Sequence, residues 1–126
     1  MKYVLYAFCL FTLISCGSDD DSSEDNNQII CTEEIRPSFS ITVVDPEGNT
    51  IEGATVTVIE SDFNFILSES SSGVYSGPGE RIGTYLLTIM REGFQDITIT
   101  NPLIVSLTED MCHVDTIEMT YEMQPL

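Results

Sequence analysis

Few residues of this chain could do chemistry. His113 is the only histidine, which removes paired-imidazole mechanisms and His-rich metal sites within one chain. It follows Cys112, and a thiolate–imidazole pair would need both side chains on one face. Neighbours on a strand point to opposite faces, so the two read as a disulfide-bonded Cys112 beside a structural or exposed His113. Glu60 with Asp62, and Glu109 with Asp110, are the residue types of a glycosidase pair. Each stands among turn signals of a strongly acidic chain, where carboxylates are solvated. Ser70, Ser71 and Ser72 lack a neighbouring base or a nucleophile-elbow context and read as loop. Asp45, Glu47 and Asn49 alternate oxygen ligands, yet the run is too short for an EF-hand and lacks its bidentate glutamate. Asp45-Pro46-Glu47-Gly48 instead fits a type I turn. Arg81, in Gly79-Glu80-Arg81-Ile82-Gly83, has too little positive charge nearby to mark an anion site. No catalytic residue, metal site or cofactor is expected, and the chain reads as non-enzymatic.

Cysteine says more. Of four cysteines, Cys31 and Cys112 bracket nearly the whole domain and read as one disulfide in an oxidising compartment. The chain-entropy model credits so long a loop with about 4–5 kcal/mol, a large share of the stability of so small a domain. Cys9 lies in an N-terminal segment, residues 1–15, with one positive charge at Lys2 and an apolar run from Val4 to Ile14. That is the layout of an export signal, too short to span a bilayer. Leu13-Ile14-Ser15-Cys16-Gly17 resembles the lipobox of bacterial lipoproteins. The resemblance implies that Cys16 is diacylglycerylated, that the leader is cut before it and that the new terminus is acylated. One acyl chain at about 0.8 kcal/mol per methylene binds a membrane only marginally, and several hold. The other reading is an ordinary secretory signal that leaves Cys16 as an odd thiol.

All 21 acidic residues follow Cys16, against three arginines, so the chain beyond the leader carries a net −18. Such a balance argues against nucleic acid or an anionic surface as partner, since phosphate binding needs a basic face. Residues 16–30 form a tether whose stretch 18–28 has no aliphatic or aromatic residue and is expected to be disordered and extended by self-repulsion. Asp19, Asp20 and Asp21 stand directly behind the cysteine. They resemble the export tag that sends some Gram-negative lipoproteins to the outer leaflet, the alternative being a plain spacer.

The elements that would position anything else lie in residues 31–126. Phe39, Ile41 and Val43 alternate with Ser38, Ser40 and Thr42; Ala54, Val56 and Val58 alternate with threonines; Phe63, Phe65 and Leu67 follow. Val74-Tyr75 is a short strand ended by Gly77-Pro78-Gly79. Tyr85, Leu87 and Ile89 line a further strand, then Phe94, Ile97 and Ile99, then residues 103–107, and last Ile117, Met119 and Tyr121. Period-two patterning with glycine-rich punctuation and no helical period predicts an all-β, Greek-key β-sandwich of about seven strands. The aromatic residues are expected in its core.

The run Asp45-Pro46-Glu47-Gly48-Asn49-Thr50-Ile51-Glu52-Gly53-Ala54-Thr55-Val56-Thr57-Val58 resembles the opening of a carboxypeptidase regulatory-like domain, a relative of the transthyretin-like sandwich. Gly73-Val74-Tyr75, Gly83-Thr84-Tyr85-Leu86-Leu87-Thr88-Ile89 and Gly93-Phe94 continue the likeness. It departs at Thr50, where the family often has proline, and at Ser70-Ser71, which replace a common Thr-Asp. A distant Ig-like sandwich is the other reading. The resemblance implies a non-catalytic module, because members attach to peptidases, transporters and surface proteins, and fold transfers better than function. The expected protein is thus a lipid-anchored, surface-exposed outer-membrane lipoprotein of the bacterial envelope. Its sandwich would bind or assemble with an envelope protein, a peptide or a glycan through loops at one end. The alternative is a structural spacer or adhesin-like display domain without a small ligand.

Overall fold

The computed structural model describes residues 30–126; the leader, Cys16 and Asp19 to Asp21 lie outside them. No helix among the described residues is long and apolar enough to cross a membrane. The described residues form eight strands: β1 (Pro37–Val44), β2 (Thr55–Glu60), β3 (Phe63–Ile66), β4 (Ser68–Ser71), β5 (Val74–Gly79), β6 (Gly83–Met90), β7 (Ile97–Val105) and β8 (Ile117–Glu122). They form two four-stranded sheets, in the orders β4-β5-β1-β8 and β3-β2-β6-β7. The non-consecutive neighbours β5–β1 and β2–β6 are the Greek-key feature of the sandwich. All pairs are antiparallel except β1 with β8.

Alternation along the central strands builds the core. Phe39, Ile41 and Val43 of β1 and Val56 and Val58 of β2 are wholly buried, as are Tyr85, Leu87 and Ile89 of β6. Phe39 and Tyr85 meet across the sandwich edge to face, ring centroids 5.2 Å apart, a favoured aromatic geometry. Tyr75 crosses toward the loop after β1. Its hydroxyl donates to the Ile51 carbonyl at 2.7 Å and accepts from the Ala54 N–H at 2.9 Å. Every core member lies between Phe39 and Met123, so residues 31–126 carry their own core within one compact unit.

Three strands depart from the sequence reading. β5 runs on through Gly77-Pro78-Gly79, expected to end it, because those residues pair with β1. Ser70 and Ser71, expected in a loop, belong to β4, whose four residues are all exposed. Nothing in its composition signals burial, and only pairing with β5 across the Gly73 turn makes it a strand. The runs at 97–99 and 103–107, expected as two strands, are largely the single β7. A register shift absorbs the interruption at Asn101-Pro102, so that Ile99 stands opposite Leu87 and Leu103 opposite Tyr85. Proline lacks the ladder N–H and is tolerated at such an edge irregularity.

Strand directions define two poles. β1 and β6 start, and β2 and β7 end, at a proximal pole with residues 30–36, 61–62, 80–82 and 106–116. Their other ends meet at a distal pole with residues 45–54, 91–96 and 123–126.

Candidate functional site

At the proximal pole Cys31 and Cys112 form a disulfide, with 5.3 Å between Cα atoms and a sequence separation of 81. It brings the next residues together. Thr32 Oγ1 lies 2.9 Å from His113 Nε2, and His113 Nδ1 lies 2.6 Å from Glu80 Oε2. A carboxylate can only accept, so Nδ1 donates; in the neutral ring Nε2 accepts the Thr32 hydroxyl, and in the imidazolium it donates to it. Hydroxyl, imidazole and carboxylate thus stand in the order of a nucleophile, a base and its orienter.

The surroundings make this a clamp. His113 is buried at 6% exposure. Glu80 spends both oxygens on the fold, accepting the Val114 N–H at 2.9 Å through Oε1 and the Arg36 N–H at 3.0 Å through Oε2. Its own N–H donates to the Arg36 carbonyl at 2.8 Å. The Arg36 N–H, then the His113 ring, hold its carboxyl down at about 2. Glu80 also has a positive φ of 46°, a conformation that costs a non-glycine residue on the order of 1–2 kcal/mol. These hydrogen bonds over-determine it. Three segments distant in sequence (30–36, the β5–β6 loop and the β7–β8 loop) are joined at one carboxylate.

Sequence reasoning placed His113 beside a disulfided Cys112 and missed Glu80 and Thr32. A signal for Thr32 existed: if Cys31 bonds Cys112, their following residues are neighbours. No comparable signal marked Glu80.

The two carboxylate pairs are not brought together as acid–base dyads. Glu60 accepts from Arg81 Nη2 at 3.0 Å, and the Arg81 guanidinium lies 3.7 Å over the Phe63 ring, while Asp62 is exposed. Asp110 accepts the Thr108 hydroxyl at 2.6 Å and the Cys112 N–H at 3.0 Å, which together lower its pKa. Asp45 Oδ1 accepts the Glu47 and Asn49 N–H groups at 2.9 Å each and closes its own turn. Among the described residues, no group of three or more His, Cys, Asp or Glu is placed to hold a metal ion.

The distal pole is built differently. Glu69 ties the β1–β2 loop to the β4–β5 turn by accepting the Gly73 N–H at 2.9 Å and the Gly53 N–H at 3.1 Å, and both bonds lower its pKa. Beside this tie lies an open groove of about 520 Å³ lined by Met90, Arg91, Phe94, Asp96 and Leu126, among others. Arg91 is held by two carbonyls: Nε donates to Glu52 O at 2.7 Å and Nη1 to Glu92 O at 3.3 Å. Arg36 pairs with Glu34 and Arg81 with Glu60. Arg91 alone among the described arginines has no described carboxylate within ion-pair distance.

No protein-family model matches the chain, and no curated protein matches it.

Proposed function

We propose that the protein is a lipid-anchored lipoprotein of the bacterial envelope, held at the outer membrane through Cys16 and displayed at the cell surface. Its sandwich is a non-catalytic binding or assembly module. Cys16 and the lipobox-like run before it carry the anchor, and Asp19, Asp20 and Asp21 the surface address. The carboxypeptidase regulatory-like pattern from Asp45 onward supports the module reading. The observation that most favours it is the contrast between the poles. The proximal pole, where the chain comes in from the tether, is closed by a disulfide and a three-segment clamp. The distal pole offers an open groove lined by Glu92, Asp96 and an Arg91 that makes no ion pair with a described carboxylate. Polar groups spent on the fold are unavailable to a ligand, and those at the distal pole are not all spent.

None of the described aromatic side chains is exposed. Glycan binding usually draws on exposed aromatic faces, so a peptide or protein partner is favoured over a sugar. The second reading, a structural spacer, is supported by the extensive hydrogen bonding of the loops at both poles.

The test is capture of envelope components by the chain from Cys16 onward, alongside a glycan array, comparing the native sequence with Arg91→Ala and Phe94→Ala. The binding reading expects a retained partner that both substitutions release. A chain that retains nothing, or a partner indifferent to both, leaves the spacer reading in place.

A further inference from the structure

In a domain of sixteen acids and three arginines, net −13 over residues 31–126, one broad surface is free of charge: the outward face of the second sheet. Val56, Val58, Leu87 and Ile89 point into the core, so the alternate positions point out. Thr57, Thr88 and Thr98 form one cross-sheet row, and Ile66 extends it beyond Thr57. Leu86 and Met90 flank Thr88 along β6, and Ile104 stands opposite Thr84. Every outward position of the paired parts of β2, β3, β6 and β7 is Thr, Ile, Leu, Met or Asn. Ile66 and Ile104 are 62% and 67% exposed, and Leu86 and Met90 at least 40%. The outward face of the first sheet, by contrast, carries exposed Glu118 and Glu122 on β8, and both poles carry acids.

We propose that this face is a self-association surface whose occupant is the same face of a second copy. Three arguments select that occupant. Like charge is the first: two copies of a −13 domain repel wherever carboxylates meet, and this sheet face brings none together. The second is chemistry. Threonine hydroxyls both donate and accept, so a threonine row can satisfy itself across a two-fold axis while the aliphatic side chains lose water. Sheets stack this way about 10 Å apart. The third is size. Four strands at about 4.8 Å spacing, each about six residues long, give roughly 400 Å² per copy, about half of what a standard stable interface uses. The pairing is therefore weak and concentration-dependent. A basic partner would seek the carboxylates, not this face. The inference does not rest on the lipid anchor.

Charge gives the pairing a signature. The repulsion it must overcome lies outside the contact and is screened by salt, so association strengthens as ionic strength rises. An interface built of ion pairs would weaken.

The test uses the full-length chain with Thr88→Cys, treated with a short bismaleimide and compared with Thr120→Cys on the outward face of the other sheet. The Thr88→Cys chain is expected to give a crosslinked dimer above the background of the unsubstituted chain and of Thr120→Cys. Its yield should rise between about 0.05 M and about 0.5 M salt as the screening length shortens. Adding Leu86→Lys, or separately Thr57→Lys, should lower the yield by about tenfold, the change that ~1.4 kcal/mol produces. Unchanged urea midpoints establish that these surface variants fold. A Thr88→Cys yield no higher than that of Thr120→Cys, a yield that falls with salt, indifference to both lysines, or crosslinking to a different protein overturns the pairing.

Discussion

Glu80 is the residue through which the proximal pole holds together, and its role is measurable as a pH dependence. Its carboxyl sits at about 2, against an ordinary value of 4.5, because the ionised form accepts the Arg36 N–H and the His113 ring. A depressed native pKa stabilises the fold in full above the unfolded value and is lost as pH falls through the folded one. Glu80→Gln should therefore unfold at lower urea than the native chain at pH 7, with the gap narrowing from about pH 4.5 and nearly closed by about pH 2. Urea titrations across that range check it; a gap independent of pH would mean that the charge on Glu80 contributes nothing. At this scale the sequence was partly legible. Turn chemistry at Asp45 and burial of Tyr85 follow from residue type and spacing. Glu80 does not, because its three partners come from segments up to 44 residues away in sequence, and no local pattern encodes such a meeting.

Among the elements, the strands that carry core residues were readable because burial imposes period two on β1, β2 and β6. β4 was not, since all four of its residues face water and its existence depends on β5. β7 was split by Asn101-Pro102 because a break in alternation looks the same as a strand end until its partner is known. The β7–β8 loop has little regular structure of its own and is tied down by the Cys31–Cys112 bond, the Glu80 clamp and the Leu107–Val114 bridge. Reducing that disulfide is expected to cost about 4–5 kcal/mol by the loop-closure argument. Denaturant unfolding with and without reductant measures this, and an unchanged midpoint would show that the clamp alone suffices. Equally, mass mapping under non-reducing conditions should recover Cys31 and Cys112 in one linked peptide pair.

For the whole molecule, the central claim is the proposed location: a lipid anchor at Cys16 that holds the sandwich at the outer membrane. The Cys31–Cys112 disulfide is the feature of the described residues that this proposal draws on. A binding surface is not legible in a sequence of this kind, because loop residues that would contact a ligand obey no periodicity. If Asp19, Asp20 and Asp21 specify the surface, replacing all three with alanine should protect the sandwich from protease added to whole cells. Continued cleavage would reduce them to spacer. The anchor itself is tested most directly by following palmitate labelling and detergent partitioning of the native chain and of Cys16→Ala. The account predicts that the native chain is labelled and enters the detergent phase, and that Cys16→Ala loses both. A Cys16→Ala chain that still partitions with detergent would contradict it.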